Sequence, residues 1–162
     1  MFWGYAAAVE PPPPSDELLA RVNQAFCQGI PHNRALGMRM LRFEPGLAVG
    51  TVPWDERLVG NTELRILHGG AITTLLDATC GAAVFSRLTT PVPIATLDLR
   101  IDYLGPAAPD RDVLARAECY KLTRNVAFVR AVAYQDTPDN PIASAAGTFM
   151  LSSPGGPAEG RP

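Results

Sequence analysis

The longest apolar segment of the chain runs from Gly69 to Ser86, and it carries a single charged side chain, Asp77, near its middle. A helix that is apolar nearly all round is typical of one wrapped by other structure, and we predict such a helix from Gly69 to about Arg87. Because an unpaired carboxylate is costly to remove from water, Asp77 must find hydrogen-bond partners or take part in chemistry. The position of this acidic group is therefore the first indication of a functional site.

After this helix the hydrophobic pattern changes to short runs rich in Val, Ala, Leu, Ile and aromatic residues, which predict strands. The four runs cover residues 94–103, 112–121, 126–135 and 142–151. Turn signals separate them, and their short connections suggest an antiparallel meander. Before the helix, residues 38–44 and 47–54 predict two more strands, with Pro45-Gly46 as the turn between them.

At the start of the chain, apolar residues at helical spacing predict a helix from Ser15 or Asp16 to about Gln28. The proline run that precedes it predicts a flexible N-terminal arm over residues 1–15. Residues 152–162 are rich in Ser, Pro and Gly and predict a disordered tail. We therefore expect one domain, residues 16–151, of the α+β class, with helices packed on one face of a curved antiparallel sheet.

Composition narrows the classes of partner. The net charge is −2 and no dense Lys/Arg stripe occurs, so we expect no nucleic-acid partner. Three cysteines far apart in sequence and two histidines form neither a disulfide framework nor a metal-site pattern. The acidic, Thr and Gly residues of the 69–86 segment argue against a membrane helix. These features suggest a cytoplasmic protein with no metal site and no membrane partner.

Two blocks of sequence carry a family resemblance. The first contains His68-Gly69-Gly70 followed by Leu75-Leu76-Asp77, and the second is the run from Thr96 to Ala107. Together they resemble the phenylacetate-type, or PaaI-like, branch of the hotdog thioesterases, over roughly residues 30–151. The resemblance implies the hotdog fold, in which a sheet wraps a long helix. It also implies hydrolysis of acyl-coenzyme A thioesters without a metal or organic cofactor, at a site on a homodimer interface. Many members of the family pair such dimers into tetramers.

The resemblance assigns roles to the central motif. Unpaired N–H groups of Gly69 and Gly70 at a helix N-terminus can polarise a thioester carbonyl, although two glycines can also simply shape a tight turn. Asp77 is the expected nucleophile or general base, or else a carboxylate capped by hydroxyl groups in the core. Thr96 aligns with a hydroxyl residue that orients the water or the carboxylate, but a β-branched residue also suits any strand.

Two residues near the motif have less definite roles. His68 is expected to fix the preceding loop or to cap the helix, and it is also a candidate for substrate contact. Asn61 matches an Asn or Asp of the loop before the motif. Other members place this Asn one residue nearer the His and have Gly where this chain has Arg65.

The spacing of the motif has a geometric consequence. Asp77 lies seven or eight residues beyond the glycines, which is about 11 Å along one helix at 1.5 Å per residue. One carbonyl carbon cannot contact both groups from the same helix. If both act, they must come from different chains, which predicts a homodimer with two equivalent sites.

Substrate contacts are also implied by the resemblance. Arg124 and Asn125 lie on the turn where relatives contact the nucleotide of coenzyme A, and Arg100 and Arg130 are further candidates. Leu58, Val59, Leu76 and Cys80 are candidates for an apolar acyl pocket. We expect aryl or short to medium acyl groups as substrates. A non-catalytic module that binds acyl-CoA or an acyl carrier is the alternative, because binding needs most of the same pocket.

Overall fold

A computed structural model describes residues 16–152. The predicted N-terminal arm, residues 1–15, and residues 153–162 of the predicted tail lie outside the described residues. The helices are α1 (Asp16–Val22), α2 (Pro31–Ala35) and α3 (Gly69–Phe85), and a π-helical segment, Asn23–Gln28, continues α1. The strands are β1 (Arg39–Glu44), β2 (Leu47–Val52), β3 (Val59–Asn61), β4 (Ile66–Leu67), β5 (Ile94–Tyr103), β6 (Val113–Leu122), β7 (Val126–Tyr134) and β8 (Ala143–Leu151).

Six strands form one antiparallel sheet in the order β1-β2-β6-β7-β8-β5, and β3 and β4 form a separate two-stranded ribbon. The predicted four-strand meander is wrong in one respect, because β5 pairs with β8 at the sheet edge instead of with β6. The connection from β5 to β6 covers residues 104–112 and contains Pro106 and Pro109. A proline-containing connection of this length crosses to a distant strand more readily than it forms a tight hairpin.

Helix α3 is the centre of the domain, and all six strands of the large sheet contact it. The sheet face toward the helix is lined largely by small residues, including Ala115, Ala117, Ala131 and Ala145. Small side chains on both surfaces let backbone approach backbone. At Gly50 of β2, an added Cβ would lie 2.7 Å from Thr79 Oγ1 of α3. The predicted α+β hotdog architecture, a long helix wrapped by an antiparallel sheet, is confirmed.

The segment before β1 packs against α3 and is more structured than the sequence predicted. The helical structure that begins at Asp16 ends at Gln28, as predicted, but a further short helix, α2, begins at Pro31, whose missing N–H costs nothing in a first helical turn. Asn33, which is buried, donates from Nδ2 to the carbonyl of Phe26. Asn23 bonds both to the Met40 carbonyl and to the Met40 N–H. These bonds fasten the N-terminal segment to β1.

The segment of residues 55–67, which joins β2 to α3, contains the short ribbon of β3 and β4, whose strands are too short to show a period in sequence. Among the residues that the structure describes, no helix is long and apolar enough to cross a bilayer.

Candidate active site

Asp77 is half-buried on the open face of α3, and it is held by a residue of the sheet edge. Thr96 Oγ1, on β5, donates to Asp77 Oδ1 at 2.9 Å. Within residues 16–152, no cation forms an ion pair with this carboxylate. The Asp77 side chain is therefore oriented by a neutral hydroxyl and not by a cation.

The open face of α3 follows helical spacing. Gly70, Thr73, Thr74 and Asp77 recur at intervals of three and four residues, and each is at least partly accessible. Residues at such intervals share one face of a helix. The face toward the sheet is instead completely buried. Asp77 and the N-terminal glycines thus lie on the same face but at different heights along the helix.

A groove of about 460 Å³ opens beside Asp77. It is lined by Phe26, Ile30, His32, Asn33, Thr73, Thr74, Asp77, Ala78 and Leu99. The N-terminal segment supplies its apolar wall, and α3 supplies its polar floor. A substrate group bound in this groove would lie against the carboxylate.

At the N-terminus of α3, some backbone N–H groups donate hydrogen bonds and one does not. His68 is the N-cap residue, and its Nδ1 accepts from Gly70 N–H at 2.9 Å. The Ala71 N–H donates to the His68 carbonyl at 3.0 Å. In the described chain, Gly69 N–H has no hydrogen-bond acceptor. The first turn therefore offers one unused donor and one donor that is held by a side chain.

The carbonyls of the same turn are also bonded by side chains. Tyr103 Oη, at the end of β5, donates to the Gly69 carbonyl at 2.8 Å. Thr74 Oγ1 donates to the Gly70 carbonyl at 3.0 Å, and His32 Nε2 lies 3.3 Å from Thr74 Oγ1. Because a hydroxyl has one hydrogen, and that of Thr74 is used on Gly70, His32 must be the donor in the last contact.

A Cβ at either glycine would crowd a side chain that bonds the helix terminus. A Cβ added to Gly69 would lie 3.1 Å from Tyr103 Oη, and one added to Gly70 would lie 2.9 Å from His68 Nδ1. The pair of glycines therefore permits two side chains to bond the helix terminus at close range. The presence of two glycines is therefore explained by these close contacts and not only by the shape of a tight turn.

A second groove, of about 500 Å³, lies at this terminus. It is lined by His32, Leu36, Arg57, Leu58, Val59, His68, Gly70, Ala71 and Thr74. Leu58 and Val59 thus line a groove, and their contact with an acyl group remains a prediction. His32 and Thr74 line both grooves and stand between them.

Two predicted pocket residues are not in either groove. Leu76 and Cys80 are 0% exposed and belong to the face of α3 that packs on the sheet. The prediction that they line an acyl pocket is therefore wrong for this chain, because a side chain sealed in the core cannot contact a ligand. Burial, with the Asp77 charge as a lesser cause, raises the pKa of the Cys80 thiol to about 12. The thiol is therefore neutral and acts as a small apolar side chain.

The loop before the motif is held by side-chain contacts of Asn61 and Arg65. Asn61 Oδ1 accepts from Leu64 N–H at 2.9 Å and so caps a turn, and Asn61 lines neither groove. Arg65 has φ of 54°, a conformation that favours glycine. Its guanidinium pairs with Asp110 at 2.7 Å and lies over the ring of Trp54 at 4.6 Å. These contacts hold an arginine in a backbone conformation that favours glycine.

Arg124 and Asn125 lie exposed on the turn between β6 and β7. The Asn125 carbonyl accepts from Leu151 N–H, and Leu151 pairs with Ile94 of β5, two residues before Thr96. The turn is therefore two strand spacings, about 10 Å, from β5, the strand whose Thr96 donates a hydrogen bond to Asp77. In the described part of the chain, the Arg124 guanidinium has no ion-pair partner, whereas Arg100 pairs with Asp102 and Arg130 with Glu118.

Two residues of this site were not identified from the sequence. His32 precedes its partner Thr74 by 42 residues, and Tyr103 follows its partner Gly69 by 34 residues. No local sequence pattern therefore links either residue to the motif. The spacing of Gly70, Thr73, Thr74 and Asp77 was a usable signal for the open face. Within residues 16–152, no three His, Cys, Asp or Glu side chains are grouped so that they could hold a metal ion.

Comparison with known proteins places these features in context. The family model described as "Thioesterase superfamily" matches residues 64–142. The medium/long-chain acyl-CoA thioesterase YigI of Escherichia coli K12 is 33% identical over 150 residues, which cover 85% of this chain and 96% of that protein.

Solved structures agree in fold. A Pseudomonas aeruginosa protein is 43% identical with a TM-score of 0.74, and the match covers 82% of this chain and 98% of that one. A mutant of the phenylacetic acid degradation protein PaaI from Thermus thermophilus is 27% identical with a TM-score of 0.65, and the match covers 75% of this chain and 98% of that one.

Proposed function

Because this chain belongs to the thioesterase superfamily, we propose that it hydrolyses acyl-coenzyme A thioesters to the free acid and coenzyme A. The observation that carries the proposal is the Asp77 carboxylate, bonded to Thr96 on the open face of a helix whose first turn has one unused amide, Gly69 N–H, and one held by the His68 side chain, Gly70 N–H. The activity named for the E. coli relative is of the same kind. The substrate class follows from the relative and the chemistry from the site.

In the proposed reaction, the thioester carbonyl oxygen accepts hydrogen bonds from Gly69 and Gly70 N–H. Negative charge develops on that oxygen, and donors at a helix N-terminus stabilise it. His68 Nδ1 now lies 2.9 Å from Gly70 N and marks where an acceptor fits. The substrate oxygen therefore has to displace the imidazole from this amide before the second donor can act.

Asp77 acts either as general base or as nucleophile. As base, it takes a proton from water, and the hydroxide attacks the carbonyl carbon. As nucleophile, it forms a mixed anhydride that water then hydrolyses. In both routes the C–S bond breaks and coenzyme A leaves as a thiolate, a leaving group that needs no strong acid. Thr96 occupies Oδ1, so Oδ2 is the oxygen available for either role.

The site is proposed to be shared by two chains. Gly70 and Asp77 lie on one straight helix, about 10.5 Å apart along its axis at 1.5 Å per residue. A single carbonyl carbon cannot contact both, so each site combines Asp77 of one protomer with the helix N-terminus of its partner. Two antiparallel copies of α3, related by a two-fold axis, would form two such sites.

The edge of the sheet supports this dimer. β5 is a ten-residue edge strand with one unpaired side, and such an edge is a template for another strand. Leu97, Tyr103 and Leu104 are 56%, 51% and 58% exposed, although all are large and apolar or aromatic. Pairing of β5 with its copy would cover this surface and bring Thr96 and Asp77 to the interface. Association of two dimers is possible in this scheme but is not required by it.

For the substrate as a whole, we propose medium-length acyl groups in the apolar grooves and coenzyme A at the β6–β7 turn. Leu58, Val59, Phe26 and Ile30 provide the apolar contacts. Arg124, which has no ion-pair partner in the described residues, would pair with a phosphate of coenzyme A, with Asn125 beside it. The name of the E. coli relative supports the choice of medium-length chains over aryl groups.

Release of free thiol from a series of acyl-CoAs tests the proposal. The natural chain, Asp77→Asn and the matched control Asp139→Asn, an exposed turn residue, are compared at equal concentration. We expect turnover in the natural chain and the control and loss of at least a hundredfold in kcat for Asp77→Asn. Turnover that survives Asp77→Asn would remove Asp77 from the mechanism. Tight acyl-CoA binding without turnover in the natural chain would instead identify a binding module.

A further inference from the structure

The peptide unit that joins Gly69 to Gly70 is bonded at both of its polar ends. At one end the Gly69 carbonyl accepts from Tyr103 Oη at 2.8 Å. At the other end the Gly70 N–H donates to His68 Nδ1 at 2.9 Å. The Gly70 N–H, which we propose to stabilise the oxyanion, thus belongs to the same peptide unit as the Gly69 carbonyl that accepts from the Tyr103 phenol.

The direction of the hydrogen bonds can be assigned. A phenol has one hydrogen, and that of Tyr103 goes to the Gly69 carbonyl. Thr73 Oγ1, 2.9 Å from Tyr103 Oη, must then be the donor to the phenol oxygen. The result is a chain in which every bond points the same way, from Thr73 through Tyr103 and the peptide unit to whatever accepts from Gly70 N–H.

Bonds arranged in this way polarise one another. A donor on a carbonyl oxygen draws electron density through the amide and makes its N–H a better donor. The same bond also fixes the plane of the peptide, because Tyr103 is held in turn by the strand pairing of β5 with β8. Glycine favours this close approach, since a Cβ on residue 69 would lie 3.1 Å from the phenol oxygen and the phenol would have to move slightly away.

We infer that Tyr103 is a positioning residue for the thioesterase reaction, which orients and polarises the Gly70 N–H that receives the oxyanion. The inference rests on the proposed function. Tyr103 does not itself contact the substrate carbonyl in this scheme. Its contribution increases as negative charge develops on the oxygen, so it acts on the transition state more than on the bound ground state.

The kinetic test replaces the phenol by a phenyl ring. Cooperative strengthening of about 10–30% per bond, applied to an oxyanion contact that supplies about 10²–10³ in kcat, predicts a fall of about two- to eightfold in kcat for Tyr103→Phe. KM should stay within about twofold, because ground-state binding changes little. Tyr120→Phe is the matched control: Tyr120 is 52% exposed, close to the 51% of Tyr103, and its ring contacts are Phe128 and Arg130.

Two further measurements separate polarisation from simple support of the fold. Thr73→Val removes the donor to the phenol without touching Tyr103, and it should lower kcat in the same direction by a smaller factor. A coenzyme A ketone, in which CH₂ replaces the thioester sulfur and the carbonyl is ¹³C-labelled, cannot be hydrolysed. Its carbonyl stretch should move to lower wavenumber when bound to the natural protein, and part of this shift should be lost with Tyr103→Phe.

The outcomes distinguish the two proposals. If the natural chain releases no thiol, or if Asp77→Asn keeps its turnover, the proposed function fails and the role of Tyr103 fails with it. If those two results are as expected but Tyr103→Phe has natural kcat and an unchanged carbonyl stretch, only the inference about Tyr103 is wrong. A loss confined to KM, or one matched by Tyr120→Phe, would also overturn it.

Discussion

Thr96 Oγ1 lies 2.9 Å from Asp77 Oδ1, and this bond joins the edge strand of the sheet to the central helix. Thr96 pairs in register with Phe149, a buried residue of β8, so its position is fixed by the ladder rather than by a loop. Sites built on strands and helices hold a reactive group more tightly than sites on loops. The hydrogen bond therefore sets which oxygen of Asp77 remains for chemistry.

Replacing Thr96 by Val should lower kcat by about ten- to a hundredfold, because a hydrogen bond to a charged group contributes about 1.5–3 kcal/mol. Valine keeps the shape and the strand preference but has no donor. Thr96→Ser restores the hydroxyl and should recover most of the rate. Steady-state kinetics with one acyl-CoA measures both variants. Natural kcat in Thr96→Val would show that the bond only supports the structure.

The shared site predicts complementation between two defective chains. A dimer of an Asp77→Asn chain with a Gly70→Ala chain should have one working site and about half the activity of the natural dimer. The methyl group of Gly70→Ala would lie 2.9 Å from His68 Nδ1 and crowd the oxyanion position. Each homodimer should be nearly inactive.

The hybrid is isolated by tandem purification through two different tags, and both homodimers are checked for folding by circular dichroism. A hybrid as inactive as its parents, when both parents are folded, would mean that each site lies within one chain.

Much of the fold follows from local pattern, because α3 is uniformly apolar and the strands alternate. The neighbour of β5 could not be predicted in this way, since strand pairing across 40 or more residues depends on the whole sheet. Leu76 and Cys80 were misassigned for a related reason. The hydrophobic pattern of this helix does not by itself separate the core face from the open one, which only Gly70, Thr73, Thr74 and Asp77 mark.

The candidate site was predicted only in part from the sequence. Asp77 was identifiable because one charge interrupts an apolar helix, and His68 because it precedes the glycines at the start of the helix. Tyr103 and His32 were not, because their contacts depend on how the sheet and the N-terminal segment close on α3. Residues that support a reactive group from a distant element carry little signal in a single sequence.

The close packing of the sheet on α3 predicts a stability effect at Gly50. In Gly50→Ala the new Cβ would lie 2.7 Å from Thr79 Oγ1, which is buried and bonded to the Leu75 carbonyl. Overpacking of this kind costs about 1–3 kcal/mol of unfolding free energy. Urea denaturation measures it. Gly105→Ala, where an added Cβ meets nothing within 4 Å, is the matched control and should leave stability unchanged.

The same site offers a check by compensation. Thr79→Ala removes the nearest atom that the new methyl group would meet and leaves only the looser contacts with Met38 Cε at 3.3 Å and Leu75 Cδ1 at 3.4 Å. The double variant Gly50→Ala/Thr79→Ala should therefore be more stable than the sum of the single effects predicts. Strict additivity would mean that the destabilisation has another origin.

Cys80 predicts how stability changes in alkaline solution. Burial raises its pKa from 9.0 to about 12 in the folded chain, with Asp77 as the second cause. Between these values the unfolded chain loses this proton and the folded chain keeps it. The unfolding free energy should therefore fall as pH rises from about 9 to 12, by up to about 1.4 kcal/mol per pH unit for this group.

Urea denaturation of the natural chain and of Cys80→Ala at several pH values between about 8 and 11 isolates this contribution. The variant is less stable at the lower end of this range, because it loses buried volume, but its stability should fall less steeply with pH. Burial also raises the pKa values of Cys27 and Cys119, so the variant keeps part of the slope. If the unfolding free energies of the two proteins change with pH in parallel, Cys80 ionises equally in the folded and unfolded chains, and its burial in the protein core does not raise its pKa.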